Sequence, residues 1–155
     1  MAGKFETKLT ELGVSLPDAP APAANYVPSV QVGNLLFVSG QISNGPDGFV
    51  TGVLGDDMSV AQGAAAARLC GISLLAQVKA ACGGDLDQLE RVVKLTGFVN
   101  STKEFTDQPA VINGCSDFLV EALGEAGRHS RSAVSAGALP FNVAVEIEGI
   151  FQIKS

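Results

Sequence analysis

RSAVSAGALPFNVAVEIEGI, residues 131–150, decides how the chain folds. Two runs that can extend flank a loop carrying Gly137 and Pro140. In the second run Val143, Val145 and Ile147 fall on one side of a strand and Ala144, Glu146 and Glu148 on the other, because successive strand side chains point to opposite faces. Two carboxylates therefore share a face. Arg131 opens the first run, so a hairpin between the two runs would bring a guanidinium fork close to a carboxylate. Such a pair is suited to hold and work on a small carboxylate substrate.

Upstream of this stretch, Val111, Ile112, Cys115, Phe118, Leu119 and Ala122 recur at helical spacing, which predicts a helix from about Pro109 to Leu123. Before it, LERVVKLTGFVN at 89–100 is β-branched and aromatic enough for a central strand. From Ser59 to about Cys82 a second helix is expected, with Ser59 as N-cap and Gly83-Gly84 as its stop. Its stripe is rich in small residues and can lie close on a sheet. Tyr26–Val32 and Leu35–Gln41 read as strands joined tightly at Gly33-Asn34. The segment NGPDG at 44–48 is turn chemistry, and Phe49–Val53 can add a short strand.

At the N-terminus Phe5, Leu9 and Leu12 predict a short amphipathic helix over residues 4–12, ended by Gly13. Residues 14–25 hold three prolines and read as an extended lead-in. The expected architecture is strand pair, helix, strand, helix, strand pair: one α+β domain with the main helices on one sheet face. Its body is 26–155, preceded by the helix and lead-in of 1–25.

Composition limits the function classes. Hydrophobic residues make up 46% of the 155 and charged residues 17%, with mean hydropathy +0.29. With no run near the ~20 apolar residues that cross a bilayer, this surface is expected to be buried between subunits. The net charge of -6, without a Lys/Arg cluster, argues against dedicated nucleic-acid binding. MAGKFETKLTELG is read as neither signal peptide nor membrane anchor. Cys70, Cys82 and Cys115 are odd in number and widely spaced, which points to reduced thiols and a cytoplasmic setting. No cofactor is expected, and with His129 the only histidine, no metal centre.

If three or so of the sheet faces that carry Glu146 and Glu148 met around an axis, clefts for small ligands would open between neighbours. Read from the residues alone, Arg131 is equally an exposed strand-end arginine, and either glutamate could simply solvate a sheet face.

The pieces resemble the RidA/YjgF/UK114 proteins, also called the endoribonuclease L-PSP or reactive-intermediate deaminase family, with a chorismate-mutase-like fold. The resemblance is carried by Tyr26, LLFVSGQIS at 35–43, DLDQLERVVKLTGFVNSTKEF at 85–105, PAVIN at 109–113, RSAV at 131–134 and LPFNVAVEIEGI at 139–150. The first 25 or so residues and GEAGRHS at 124–130 look like a longer branch.

The resemblance implies a homotrimer with a site at each subunit interface, hydrolysing enamines or imines such as 2-aminoacrylate to a 2-keto acid and ammonia. Arg131 matches the arginine that pairs with the substrate carboxylate, and Glu146 the acid associated with the water. Tyr26 and Asn113 match residues lining the cleft, and Ser39-Gly40 its floor. Ala133 departs from the family, which often has a cysteine there; hydrolysis by water is left intact. His129, beside Arg128 and near Arg131, reads as structural or exposed rather than as a ligand contact. Two other functions stay open: a trimer that binds or senses small 2-keto acids without turnover, and ribonuclease activity, for which only the family label speaks.

Overall fold

The computed structural model describes residues 2–22 and 24–155. Strands β1 (Ser29–Val32), β2 (Leu35–Ile42), β5 (Leu89–Asn100), β6 (Ser130–Ala136) and β7 (Val145–Ile153) form one sheet in the order β1-β2-β7-β5-β6. A separate small ribbon pairs β3 (Asn44–Gly45) with β4 (Gly48–Phe49), so only the start of the expected 49–53 strand pairs in this way. Helices α2 (Val60–Ala81) and α3 (Gln108–Leu123) pack on the same sheet face, and the short α1 (Lys4–Glu11) docks outside α3.

Alternation sets the layers. Leu36, Val38, Leu95, Val99, Val145, Ile147 and Phe151 point from their strands into one buried core with Leu74, Leu75, Val111, Ile112 and Phe118 of the helices. Gly33 takes φ 61° in the two-residue turn between β1 and β2, the backbone that a tight hairpin needs and that only glycine adopts cheaply. β1 begins at Ser29 rather than Tyr26, since Pro28 has no N–H to give to a ladder.

The expected hairpin between the runs at 131 and 143 does not form. β6 pairs in parallel with β5, with α3 as the crossover, and β5 lies between β6 and β7. Parallel neighbours need a long connection and α3 provides one, whereas the chain from 137 to 144 is long enough to pass beyond a strand rather than turn back. Ala144, expected on the open face, is buried because the segment at 50–54 crosses it, Ala144 N donating to the Val50 carbonyl at 2.9 Å.

Ser59 caps α2 in a reciprocal box with Gln62, each donating a backbone N–H to the other's side-chain oxygen, at 3.2 and 2.8 Å. At 22 residues and with a mean hydropathy of 1.2, α2 is long and apolar enough to cross a bilayer by composition, contrary to the expectation that no run comes near. Its apolar surface is used in the core: Cys70, Leu74 and Leu75 are fully buried. The small residues do more than bring α2 down on the sheet. Gly114 of α3 lies on the Ala64 carbonyl, where a Cβ has no room, and Gly71 meets Cys115 and Phe118.

Asp87 caps α1 from across the chain, accepting from Lys4 N at 2.8 Å and Phe5 N at 3.1 Å; these bonds hold its carboxyl below the ordinary value. Phe5 and Leu9 are buried in the core. The lead-in follows; its Ala23 lies outside the described residues. Gln77 of α2, 3% exposed, donates to the Pro20 carbonyl at 2.8 Å and so fixes this otherwise irregular segment on the body.

Among the described residues no element covers the opposite sheet face. It presents Val30, Val32, Phe37 and Val134, which are 51, 62, 41 and 45% exposed, together with Glu146 and Glu148.

Candidate functional site

The expected site residues fall into two groups. The first is built on β6 and α3. Arg131 pairs with Leu95, which places it on the helix side of the sheet at the free edge of β6. Its Nη1 donates to Ser116 Oγ at 3.0 Å and its Nη2 to the Pro109 carbonyl at 3.2 Å. Pro109, Asn113 and Ser116 are spaced i, i+4, i+7, one stripe of α3, so the exposed Asn113 stands beside the guanidinium.

A relay continues behind it. Ser116 Oγ lies 2.9 Å from His129 Nε2, and His129 Nδ1 lies 2.6 Å from the Gly127 carbonyl. A carbonyl can only accept, so Nδ1 carries the proton; Nε2 then accepts from the serine hydroxyl, whose oxygen accepts from Arg131. This arrangement is that of the neutral imidazole. Burial lowers its pKa, the Gly127 bond works the other way, and the nearby Arg131 charge lowers it further. Ser116 is absent from the sequence-derived set, although its place three residues after Asn113 on the same stripe was readable. His129 thus holds the serine that holds the arginine.

The second group surrounds Glu146 on β7. This residue pairs with Phe98 and Ile42 and faces the open side of the sheet, as does Glu148. Its carboxylate rests on Gly40, where any side chain would collide with it. Gly40 sits in a bulge of β2 between Val38 and Gln41, which turns the backbone under the carboxylate. Ser39 does not line the cleft; its hydroxyl donates to the Val27 carbonyl at 2.9 Å and ties the Tyr26–Pro28 loop against the bulge. Burial, and secondarily the charge of Glu148, raise the Glu146 pKa above the ordinary carboxylate value.

Beside Glu146 and Tyr26 opens a cleft of about 320 Å³. Of its lining, Tyr26, Gly40 and Glu146 are among the residues singled out from the sequence; Pro20 and Pro22 of the lead-in, Phe49 and Phe141 are not. Phe49 and Phe141 stack with ring centroids 5.2 Å apart.

Within one chain the two groups do not meet. Arg131 is two strands across from Glu146, with β5 between, and aligned three residues away along β5, at Leu95 against Phe98. At ~4.8 Å per strand and ~3.3 Å per residue the backbones are about 14 Å apart, and the side chains leave opposite faces. Among the described residues no three His, Cys, Asp or Glu side chains group to hold a metal. Cys70 and Cys115 are buried, and burial pushes the Cys115 thiol up to about 12.

The family model described as "YjgF/chorismate_mutase-like, putative endoribonuclease" matches residues 6–151. The chain belongs to the YjgF/RidA family. The crystal structure of protein Atu1372 of Agrobacterium tumefaciens, of unknown function, is 50% identical and superposes with TM-score 0.90 over 97% of this chain and 92% of that one. Protein TCP17 of Trypanosoma cruzi is 46% identical over 156 residues, 99% of this chain and 97% of the relative. A Dermatophagoides farinae relative named 2-iminobutanoate/2-iminopropanoate deaminase is 30% identical over 143 residues, 91% of this chain and 95% of its own. The YjgF/RidA family thus includes imine deaminases, and the mixed α+β fold described above is the family's chorismate-mutase-like one.

Proposed function

We propose that this chain is a metal-free hydrolase of small enamine and imine carboxylates, working as a homotrimer whose sites lie between subunits. One observation carries the reading: the Arg131–Asn113 group and the Glu146–Gly40–Tyr26 cleft lie on opposite faces of one sheet, so a ligand touching both lies between two copies. The exposed apolar face with Val30, Val32, Phe37 and Val134 gives those copies a surface to bury. The deaminase relative supports the reaction class.

In this scheme Arg131 holds the substrate carboxylate through its planar fork, with Asn113 beside it. An enamine such as 2-aminoacrylate first tautomerises to its imine by moving a proton from nitrogen to the terminal carbon. Water then adds to the imine carbon. Glu146 takes one proton of that water and passes it to nitrogen, giving a carbinolamine; the remaining hydroxyl proton then moves through the same carboxylate to nitrogen as the carbon–nitrogen bond breaks, and ammonia leaves a 2-keto acid. Such imines also hydrolyse unaided, so positioning water and substrate suffices for much of the acceleration.

The test is release of ammonia and keto acid from imines generated in situ, comparing wild type, Arg131→Ala and no protein. The reading expects acceleration by wild type and none by the variant. Wild-type protein without effect, at intact assembly, would leave binding without turnover as the function.

A further inference from the structure

The cleft beside Glu146 is larger and more apolar than a two- or three-carbon imino acid needs. Such a molecule fills roughly the share of three or four waters, on the order of 100 Å³, whereas the cleft of a single chain, with no second copy against it, holds about 320 Å³. Beyond the carboxylate its walls are Pro20, Pro22, Tyr26, Phe49, Pro140 and Phe141. We propose that this region is a subsite for an aromatic or branched aliphatic substrate side chain, so that the favoured imino acids are bulky ones. The proposal rests on the hydrolase reading above, which sets the reacting carbon beside Glu146.

Two features show that these walls are built rather than incidental. Phe141 has φ 57° and ψ 18°, a left-handed backbone that a bulky residue adopts only under constraint. It is held there by its neighbour: Asn142, itself at φ 59°, accepts from Asn100 Nδ2 at 3.2 Å through its side chain and from Gly52 N at 3.2 Å through its carbonyl. Strain of this kind persists where the surroundings over-determine it, and here it delivers an exposed ring against Phe49 at the rim.

The second feature is the lead-in. A segment with no regular structure is fixed by a buried amide, Gln77 to Pro20, and upstream by the docked and capped α1. What this fixation achieves at the cleft is an apolar wall at Pro20–Pro22. Of the polar side chains left, Gln41 lies on β2 and Ser73 and Gln77 on α2, while Asn44 pairs with Phe49 in the β3–β4 ribbon, so a side chain leaving the reacting carbon away from β2 and α2 meets a mainly apolar wall.

The experiment uses the full chain and imines made in situ from amino acids with methyl, isobutyl and benzyl side chains, each rate corrected for spontaneous hydrolysis. The expected order of kcat/KM is benzyl and isobutyl above methyl by about tenfold or more, the discrimination an apolar pocket provides. Phe141→Ala, at a residue 60% exposed, should compress the benzyl-to-methyl ratio towards one, and Phe141→Tyr should restore it. Equal rates, a preference for methyl, or a ratio unmoved by Phe141→Ala overturns the subsite. If no imine is accelerated, the hydrolase reading has failed. Calorimetry with the three corresponding 2-keto acids then decides the subsite alone: benzyl at least tenfold tighter than methyl supports it, and equal or weaker binding overturns it.

Discussion

Arg131 Nη1 lies 3.0 Å from Ser116 Oγ, so the residue proposed to hold the substrate carboxylate is itself held by a helix. A free arginine side chain loses rotamer entropy on binding; one already bonded to Ser116 and Pro109 has lost much of it beforehand. Ser116→Ala removes one neutral acceptor, a change of about 1 kcal/mol. The expected result is a rise in KM of about fivefold for a carboxylate-bearing imine with kcat less affected, measured by steady-state kinetics. Unchanged KM would mean that the guanidinium is oriented by other contacts.

His129 gives the fold a pH dependence of known sign. Its pKa is lowered from the ordinary 6.5, chiefly by burial. Above 6.5 both folded and unfolded forms are neutral and the residue is without effect. As pH falls below 6.5 the unfolded chain takes up a proton first, so stability declines until the folded-state value is passed. Chemical denaturation across pH 7.5 to 5.5, a window taken around the unfolded ~6.5, should show a loss that His129→Asn lessens. In the same window a protonated Nε2 becomes a donor towards Ser116 beside the Arg131 charge, so KM should climb together with the loss of stability.

Much of the fold was legible because local patterns carried it. The strand at 89–100 and the helix capped at Ser59 appear where alternation and capping chemistry put them. The partner of Arg131's strand was not legible. Which strand a run pairs with depends on a crossover through α3, and nothing within residues 131–150 encodes it. Ser116's place on the Asn113 stripe was readable, but its bond to Arg131 was not, since it exists only once β6 lies beside α3. Phe141 carries no glycine or turn signature to announce a positive φ, and the proline lead-in has no period from which its contact with Gln77 could be inferred.

Gly40 is expected to be the most sensitive small residue of the cleft. A methyl group there collides with the Glu146 carboxylate, and its backbone lies outside the left-handed region, so strain at φ is not the issue. Gly40→Ala should displace the carboxylate, lowering kcat by tenfold or more with a change in thermal midpoint of only a few degrees, since the site is half exposed. Near-normal kcat would place the proton-handling group elsewhere.

The two-copy site can be tested by subunit mixing. Arg131→Ala and Glu146→Gln are each expected to be inactive alone. Unfolded together in equal amounts and refolded, they would form mixed assemblies in which one chain's Arg131 faces another chain's Glu146. In a random cyclic trimer about a quarter of the interfaces regain both groups, so imine hydrolysis should return to about a quarter of the refolded wild-type rate. A mixture as inactive as its components, with wild type active after the same treatment, would contradict a site shared between subunits.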